Sequence, residues 1–155
     1  MKTIWLFFLG ALLLIFLCVW IQGLSWGAEM REITTIIVHH SASDFGTVDD
    51  IDRWHKEQGW DCIGYHFVIY QDGSVHNGRD ISKIGAHAKG RNKDSIGICL
   101  IGNDEFSYEQ RVALHDLCEK LAEEFSIASI QRHHEECPGQ GINVEVLQEE
   151  IFAGL

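Results

Sequence analysis

Short apolar runs alternate with segments of helical periodicity along this chain, and that alternation constrains its fold more than any other feature. Residues 33–38 are β-branched throughout, as expected of a short strand covered on both faces. Further strands are predicted at 65–70, 95–101 and 129–133, and Asp72-Gly73 indicates a turn that sends the chain back through Val75. The sequence therefore predicts a sheet that contains one hairpin.

Three helices are predicted between and after these strands. Thr47 with Asp50, and Ser107 with Gln110, have the spacing of a capping box at a helix start, and Asn143 can cap a final helix. The second helix has a buried stripe at helical spacing, formed by Leu114, Leu117, Cys118, Leu121 and Phe125. With 155 residues, one domain of the α/β class is expected, with a central mixed sheet flanked by helices.

The beginning of the chain differs in kind, because no charged residue occurs between Lys2 and Glu29. Residues 4–21 are long enough to span a bilayer, which takes about 17–25 residues, and this length favours an uncleaved anchor. Small residues before Ala28 also fit a signal-peptide cleavage site, so residues 1–28 are a membrane anchor or a signal peptide. In both cases the remainder, residues 31–155, is expected outside the cytoplasm, in the periplasm or at the cell surface.

The charge of the remainder argues against nucleic acid as a partner. Without residues 1–30 the chain has 11 basic and 22 acidic residues, a net charge of −11 that repels phosphate backbones. A soluble monomeric domain is expected.

Two histidine pairs end predicted strands, and they indicate a metal site. His39-His40 and His133-His134 occupy these positions, and Cys137 follows the second pair closely. Imidazole and thiolate are the ligands that zinc prefers, and a catalytic zinc ion takes three protein ligands and keeps a fourth position open. Neighbouring strand residues point to opposite faces, so only one histidine of each pair can face a shared ion, and periodicity alone leaves the choice open.

Several motifs in order resemble one family, the type 2 N-acetylmuramoyl-L-alanine amidases, which include amidase-type phage lysozymes and peptidoglycan recognition proteins. The resemblance covers about residues 31–150. It rests on Ile37-Val-His-His-Ser-Ala-Ser43, Trp54-His-Lys-Glu-Gln-Gly-Trp60, Gly64-Tyr-His-Phe67, Gly85-Ala-His-Ala88, Ser95-Ile-Gly97, His133-His-Glu135 and Cys137-Pro-Gly139.

The resemblance implies a zinc hydrolase with one Zn²⁺ per chain in a surface groove. Its implied ligands are His39, His133 and Cys137, and Tyr65 matches the catalytic tyrosine of the family. The implied substrate is peptidoglycan or its muropeptide fragments, cleaved at the amide bond between the lactyl group of N-acetylmuramic acid and L-alanine. His87, Asn92 and Ser95 match positions that line the substrate groove in relatives.

One position departs from the phage-type pattern. Relatives have a lysine two residues before the ligand cysteine, whereas this chain has Glu135, and only three residues separate His133 from Cys137. Glu135 is accordingly a candidate general base or an ordinary loop carboxylate. The alternative function is a recognition module that binds peptidoglycan without cleaving it. Such receptors commonly lose the cysteine, so its presence favours the enzyme.

Overall fold

A five-stranded sheet forms the centre of the computed structural model, which describes residues 31–154. Its strand order is β3-β2-β4-β1-β5, and only β3 runs antiparallel to its neighbour. The sheet is therefore mixed, as predicted from the sequence. The strands are β1 (Thr35–His40), β2 (Phe67–Ile69), β3 (Val75–Asn77), β4 (Ser95–Leu100) and β5 (Ser129–Arg132).

Three helices accompany the sheet in the described residues: α1 (Val48–Glu57), α2 (Tyr108–Glu124) and α3 (Val144–Gly154). Both predicted capping boxes are present, so that Thr47 and Ser107 each bind the backbone amide three residues later. The Asn143 side chain accepts the Val146 amide at 3.0 Å and caps α3 as predicted. These caps satisfy amides that a helix start otherwise leaves unpaired.

Apolar side chains cover both faces of the sheet. On one face, α2 and α3 contribute Leu114, Leu121 and Ile151 to a core with Ile36 and Val38 of β1. The stripe predicted for α2 is buried there, except that Phe125 is only partly buried. On the other face, α1 contributes Ile51 to a smaller cluster with Val68, Cys99 and Ile101. The two clusters follow the alternation of side chains along β1 and β4.

The strands begin and end at slightly different residues from those predicted, and one difference affects the site. β1 starts at Thr35 and includes both histidines, rather than ending before them, because it pairs with β4 in parallel through His40 and Leu100. Parallel strands end at one edge of a sheet, so the residues that end β1 and β5 are brought together. This edge carries the candidate site.

The apolar segment, residues 4–21, and the boundary at residue 28 lie outside the described residues. Within residues 31–154, no helix has both the length and the apolar character needed to cross a membrane.

Candidate metal centre and groove

His39 is the histidine of the first pair that faces the candidate metal centre. Side chains of β1 alternate, and Ile36 and Val38 point toward α2 and α3, so His39 points to the opposite face. Its ring is only 1% exposed and lies 5.0 Å from the ring of Tyr65, centroid to centroid. His40 starts from the opposite face of β1, although it also contributes to the edge of the groove. The structure therefore supplies the orientation that periodicity left open.

His133 reaches the same place from the next strand. It follows β5 directly, and its backbone amide donates to the Val38 carbonyl at 3.2 Å, which continues the parallel pairing of β1 and β5. The His133 and His39 rings are 4.4 Å apart between centroids. The two histidines are thus neighbours because their strands are neighbours.

Cys137 completes the group through a tight loop. The side chain is 4% exposed, and the ligand atoms of His39, His133 and Cys137 all lie within 4.8 Å of one another. Two imidazoles and a thiol at these separations match the donor set that zinc prefers. The structure therefore brings together the three residues that the family resemblance assigns to the metal.

An open groove of about 880 Å³ lies over these three residues. Tyr65 and both histidine pairs contribute to its lining. Its remaining walls are formed by the loops after β1, β4 and β5, including Ser41, Ala42, Asn103, Asp104, Glu135, Glu136, Gly139 and Gln140. This lining is mostly polar, as expected of a surface that receives a hydrophilic ligand.

The local environment keeps the two imidazoles neutral. Burial, reinforced by the neighbouring histidines, holds the pKa of His39 well below its usual value, and burial also lowers the pKa of His133. Burial raises the pKa of the Cys137 thiol, while the His40 backbone amide and the Arg132 guanidinium oppose that rise. Neutral imidazoles have a free nitrogen lone pair, which metal binding requires.

Tyr65 stands beside the three donors at the base of the groove. Burial raises its pKa well above the usual value, with contributions from Cys99 and Cys137, so its hydroxyl stays protonated and can donate a hydrogen bond. His55 of α1 packs against the other side of this ring, with centroids 5.3 Å apart, and accepts the Gly64 amide at 3.0 Å. The tyrosine is held between two histidine rings.

The structure brings none of His87, Asn92 and Ser95 into the lining of this groove. His87 is 7% exposed and lies behind His39, and Ser95 is fully buried. The Asn92 side chain accepts the backbone amides of His87 and Ala88 at 2.9 and 2.8 Å, which fixes the loop. These three residues support the centre from within the fold, and their role in a substrate groove stays a prediction.

Arg91 is a site residue that the sequence reasoning missed. Its guanidinium donates to the backbone carbonyls of His133 and Arg132, and to the Gln131 side chain at 3.2 Å. It thereby ties the loop before β4 to the end of β5. The only sequence signal is its place between the Gly-Ala-His-Ala and Ser-Ile-Gly motifs.

Glu135 lies on the exposed rim of the groove. Its backbone carbonyl accepts the Arg132 guanidinium at 3.0 Å, so the arginine binds the loop and not the carboxylate. The exposed side chain contributes to the lining of the groove.

Comparisons with known proteins agree with this geometry. Residues 29–140 match the N-acetylmuramoyl-L-alanine amidase family. The endolysins of Klebsiella phage KP32 and Escherichia phage T7 are each 42% identical to the chain over 122 residues; the match spans 71% of this chain and 80% and 81% of the endolysins. The amidase LysC from Clostridium intestinale URNW has a similar structure, with a TM-score of 0.74 and 32% identity over 78% of this chain and 86% of LysC.

A recognition protein is similar as well. The structure of Drosophila PGRP-LB has a TM-score of 0.65 and 30% identity, and the match spans 78% of this chain and 88% of that one. The fold and the group of two histidines and one cysteine define an amidase-like α/β domain. The chain belongs to the N-acetylmuramoyl-L-alanine amidase family, and the prediction that it is an enzyme of this class is confirmed.

Proposed function

We propose that the chain hydrolyses, with one bound Zn²⁺, the amide bond between the lactyl group of N-acetylmuramic acid and L-alanine in peptidoglycan. Hydrolysis breaks this carbon–nitrogen bond, adds a hydroxyl group to the lactyl carbonyl carbon and leaves the alanine nitrogen as a free amine. The observation that carries the proposal is the convergence of His39, His133 and Cys137 beneath an open groove.

These three residues fit a catalytic zinc ion. Their donor set has two neutral imidazoles and one thiol, and all three lie at the base of the groove, where a fourth position can face substrate. Bound there, zinc would polarise the scissile carbonyl and lower the pKa of a water molecule from 15.7 to about 7.

Tyr65 is the side chain that we propose contacts the reacting atoms of the substrate. Its ring lies beside His39, and its protonated hydroxyl could donate a hydrogen bond to the oxygen that gains negative charge as the carbonyl is attacked. Glu135 is an exposed residue of the groove lining and is the candidate that could exchange a proton with the leaving amine; an exposed carboxylate has little to hold it in one position.

The location of the reaction follows from the apolar start of the chain. As an anchor or a signal peptide, residues 1–28 would deliver the catalytic domain, residues 31–155, to the side of the membrane where peptidoglycan lies. In the anchored case, residues 4–21 are the membrane contact. We propose a monomer, since all three donors come from one chain.

The recognition-module alternative is less well supported. A receptor needs only the groove, whereas Cys137 is buried with its thiol against two histidines, an arrangement that binding alone does not require.

The test uses the full-length chain, purified in detergent, with and without stoichiometric zinc on isolated peptidoglycan. We expect mass spectrometry to detect stem peptides with a free L-alanine amine only when zinc is bound. Tight wall binding without a new amine in either sample would instead identify a receptor.

A further inference from the structure

We propose that His87 is a positioning residue for the metal centre, and that a one-directional hydrogen-bond relay behind His39 reserves its Nδ1 atom for the metal. This inference rests on the proposed zinc site. It concerns which nitrogen of His39 binds and what enforces that choice.

The relay contains three side chains and ends on the backbone. His39 Nε2 lies 3.0 Å from His87 Nδ1 in the buried interior. On the other side of the His87 ring, Nε2 makes a longer contact of 3.4 Å with the Ser95 hydroxyl. That hydroxyl in turn donates to the Arg91 carbonyl at 2.5 Å. Each group therefore contacts the next.

The last member of the relay fixes its direction. A backbone carbonyl can only accept, so the Ser95 hydroxyl donates to Arg91 and its oxygen is free to accept from His87 Nε2–H. A neutral His87 protonated at Nε2 has a lone pair at Nδ1, which accepts a hydrogen bond from His39 Nε2–H. The remaining nitrogen of His39, Nδ1, then has the free lone pair. Partners of this kind commonly set the tautomer of a ligand histidine.

Two glycines make room for the relay. A Cβ atom at Gly97 of β4 would lie 2.5 Å from the His87 ring, and one at Gly85 would lie 2.4 Å from it. Any side chain at either position would displace the ring. Asn92 accepts the His87 backbone amide and holds it from the loop side. The ring is consequently held between strand and loop, with its nitrogens aimed at His39 and Ser95.

Arg91 connects this relay to the second histidine. Its carbonyl ends the relay behind His39, while its guanidinium donates to the carbonyl of His133. One residue thus contributes to the position of both histidines, which explains why the loop between β3 and β4 belongs to the site without touching the groove.

The first experiment reads the tautomers directly. Long-range ¹H–¹⁵N spectra of the full-length, ¹⁵N-histidine-labelled chain in detergent micelles assign the protonated nitrogen of each imidazole. In the zinc-free protein at pH 7.5 we expect protons on Nε2 of His39 and His87. A proton on Nδ1 of either ring overturns the relay. This measurement needs no metal, so it tests the relay even if the chain fails to bind zinc. Failure to bind zinc would contradict the proposed function and not the relay.

The second experiment compares two variants of equal shape. In His87→Asn the amide oxygen takes the place of Nδ1 as acceptor, whereas His87→Leu has the same branching and no acceptor. We expect zinc affinity, measured by chelator competition, to fall about 10–100-fold in His87→Leu and to stay within about 3-fold of the parent in His87→Asn. Equal losses in both variants, with equal stability to urea, would show that only the ring's volume matters and would overturn the proposal.

Discussion

The backbone amide of Cys137 donates to the carbonyl of His134 at 3.1 Å, and the amide of His134 donates back to the carbonyl of Cys137 at 3.3 Å. This two-way pair closes the loop after β5 and returns the chain toward His133. The three residues between His133 and Cys137 are therefore enough to place the thiol beside both imidazoles. The short loop compared with phage-type relatives does not prevent the three donors from meeting.

Replacing Cys137 with alanine should remove both bound zinc and turnover. Two histidines are left as ligands, and the variant should have the activity of the zinc-free parent. Zinc per chain, measured by atomic emission on the purified protein, checks the first part. The matched control is Cys62→Ala, which changes a half-buried thiol outside the groove lining and should bind one zinc ion. Full zinc and full activity in Cys137→Ala would exclude this donor set.

Replacing Tyr65 with phenylalanine should lower kcat by about 100-fold and leave zinc affinity unchanged. The substitution removes only the hydroxyl that we propose as hydrogen-bond donor to the scissile carbonyl oxygen as that oxygen gains negative charge. Loss of one such donor costs about 10²–10³ in rate. Product release measured at saturating muropeptide checks kcat.

Tyr70→Phe is the control for this change. The Tyr70 hydroxyl accepts the Val48 amide at 2.8 Å at the start of α1, so its loss should reduce the free energy of unfolding by about 1 kcal/mol. Turnover should stay at the parental level. A similar loss of kcat in both variants would mean that Tyr65 acts through the fold and not on the reaction.

The sequence predicted the elements better than the orientation of the site. Capping boxes, helical stripes and the Asp72-Gly73 turn are local signals, and the helices and the hairpin followed from them. The choice between His39 and His40 depends on which face of β1 meets α2 and α3, and β1 is apolar on both faces. His87 was predicted to line the groove because its motif matches a groove position in relatives. Its packing against Gly97, which the motif alone does not reveal, places its ring in the interior behind His39.

Glu135 can be tested as a base by replacing it with glutamine. We expect kcat within about 3-fold of the parent, because the exposed carboxylate is not held by any side chain in the described structure. A loss of about 100-fold would make Glu135 the general base. Glu135→Lys introduces the charge found in phage-type relatives and should raise kcat, since a cation at the rim stabilises developing negative charge. Glu136→Lys, on the same exposed loop, is its charge-matched control.

Stability should fall in mild acid because His66 is buried in a neutral form. Its Nδ1 accepts the Gly97 amide at 2.9 Å and its Nε2 lies 3.1 Å from the Lys83 carbonyl, so a second ring proton would break the first contact. Burial lowers the pKa of His66 to about 4 from 6.5. Between these values the unfolded chain binds a proton that the folded chain does not. The contribution of neutral His66 to the free energy of unfolding is therefore complete above about pH 6.5. It decreases by about 3 kcal/mol as pH falls toward 4.

Urea unfolding of the zinc-free protein between pH 7.5 and 4.5 measures this dependence, and His66→Asn isolates the contribution of His66. The asparagine oxygen can still accept the Gly97 amide but does not titrate. His66→Asn leaves the other buried histidines, such as His87, in place. The slope of its unfolding free energy against pH should be smaller than the parental slope by up to about 1.4 kcal/mol per pH unit. His115→Asn, which changes a side chain 37% exposed on α2, is the matched substitution at an exposed histidine. A parental slope in His66→Asn would mean that His66 binds a proton equally in the folded and the unfolded chain, which contradicts the lowered pKa.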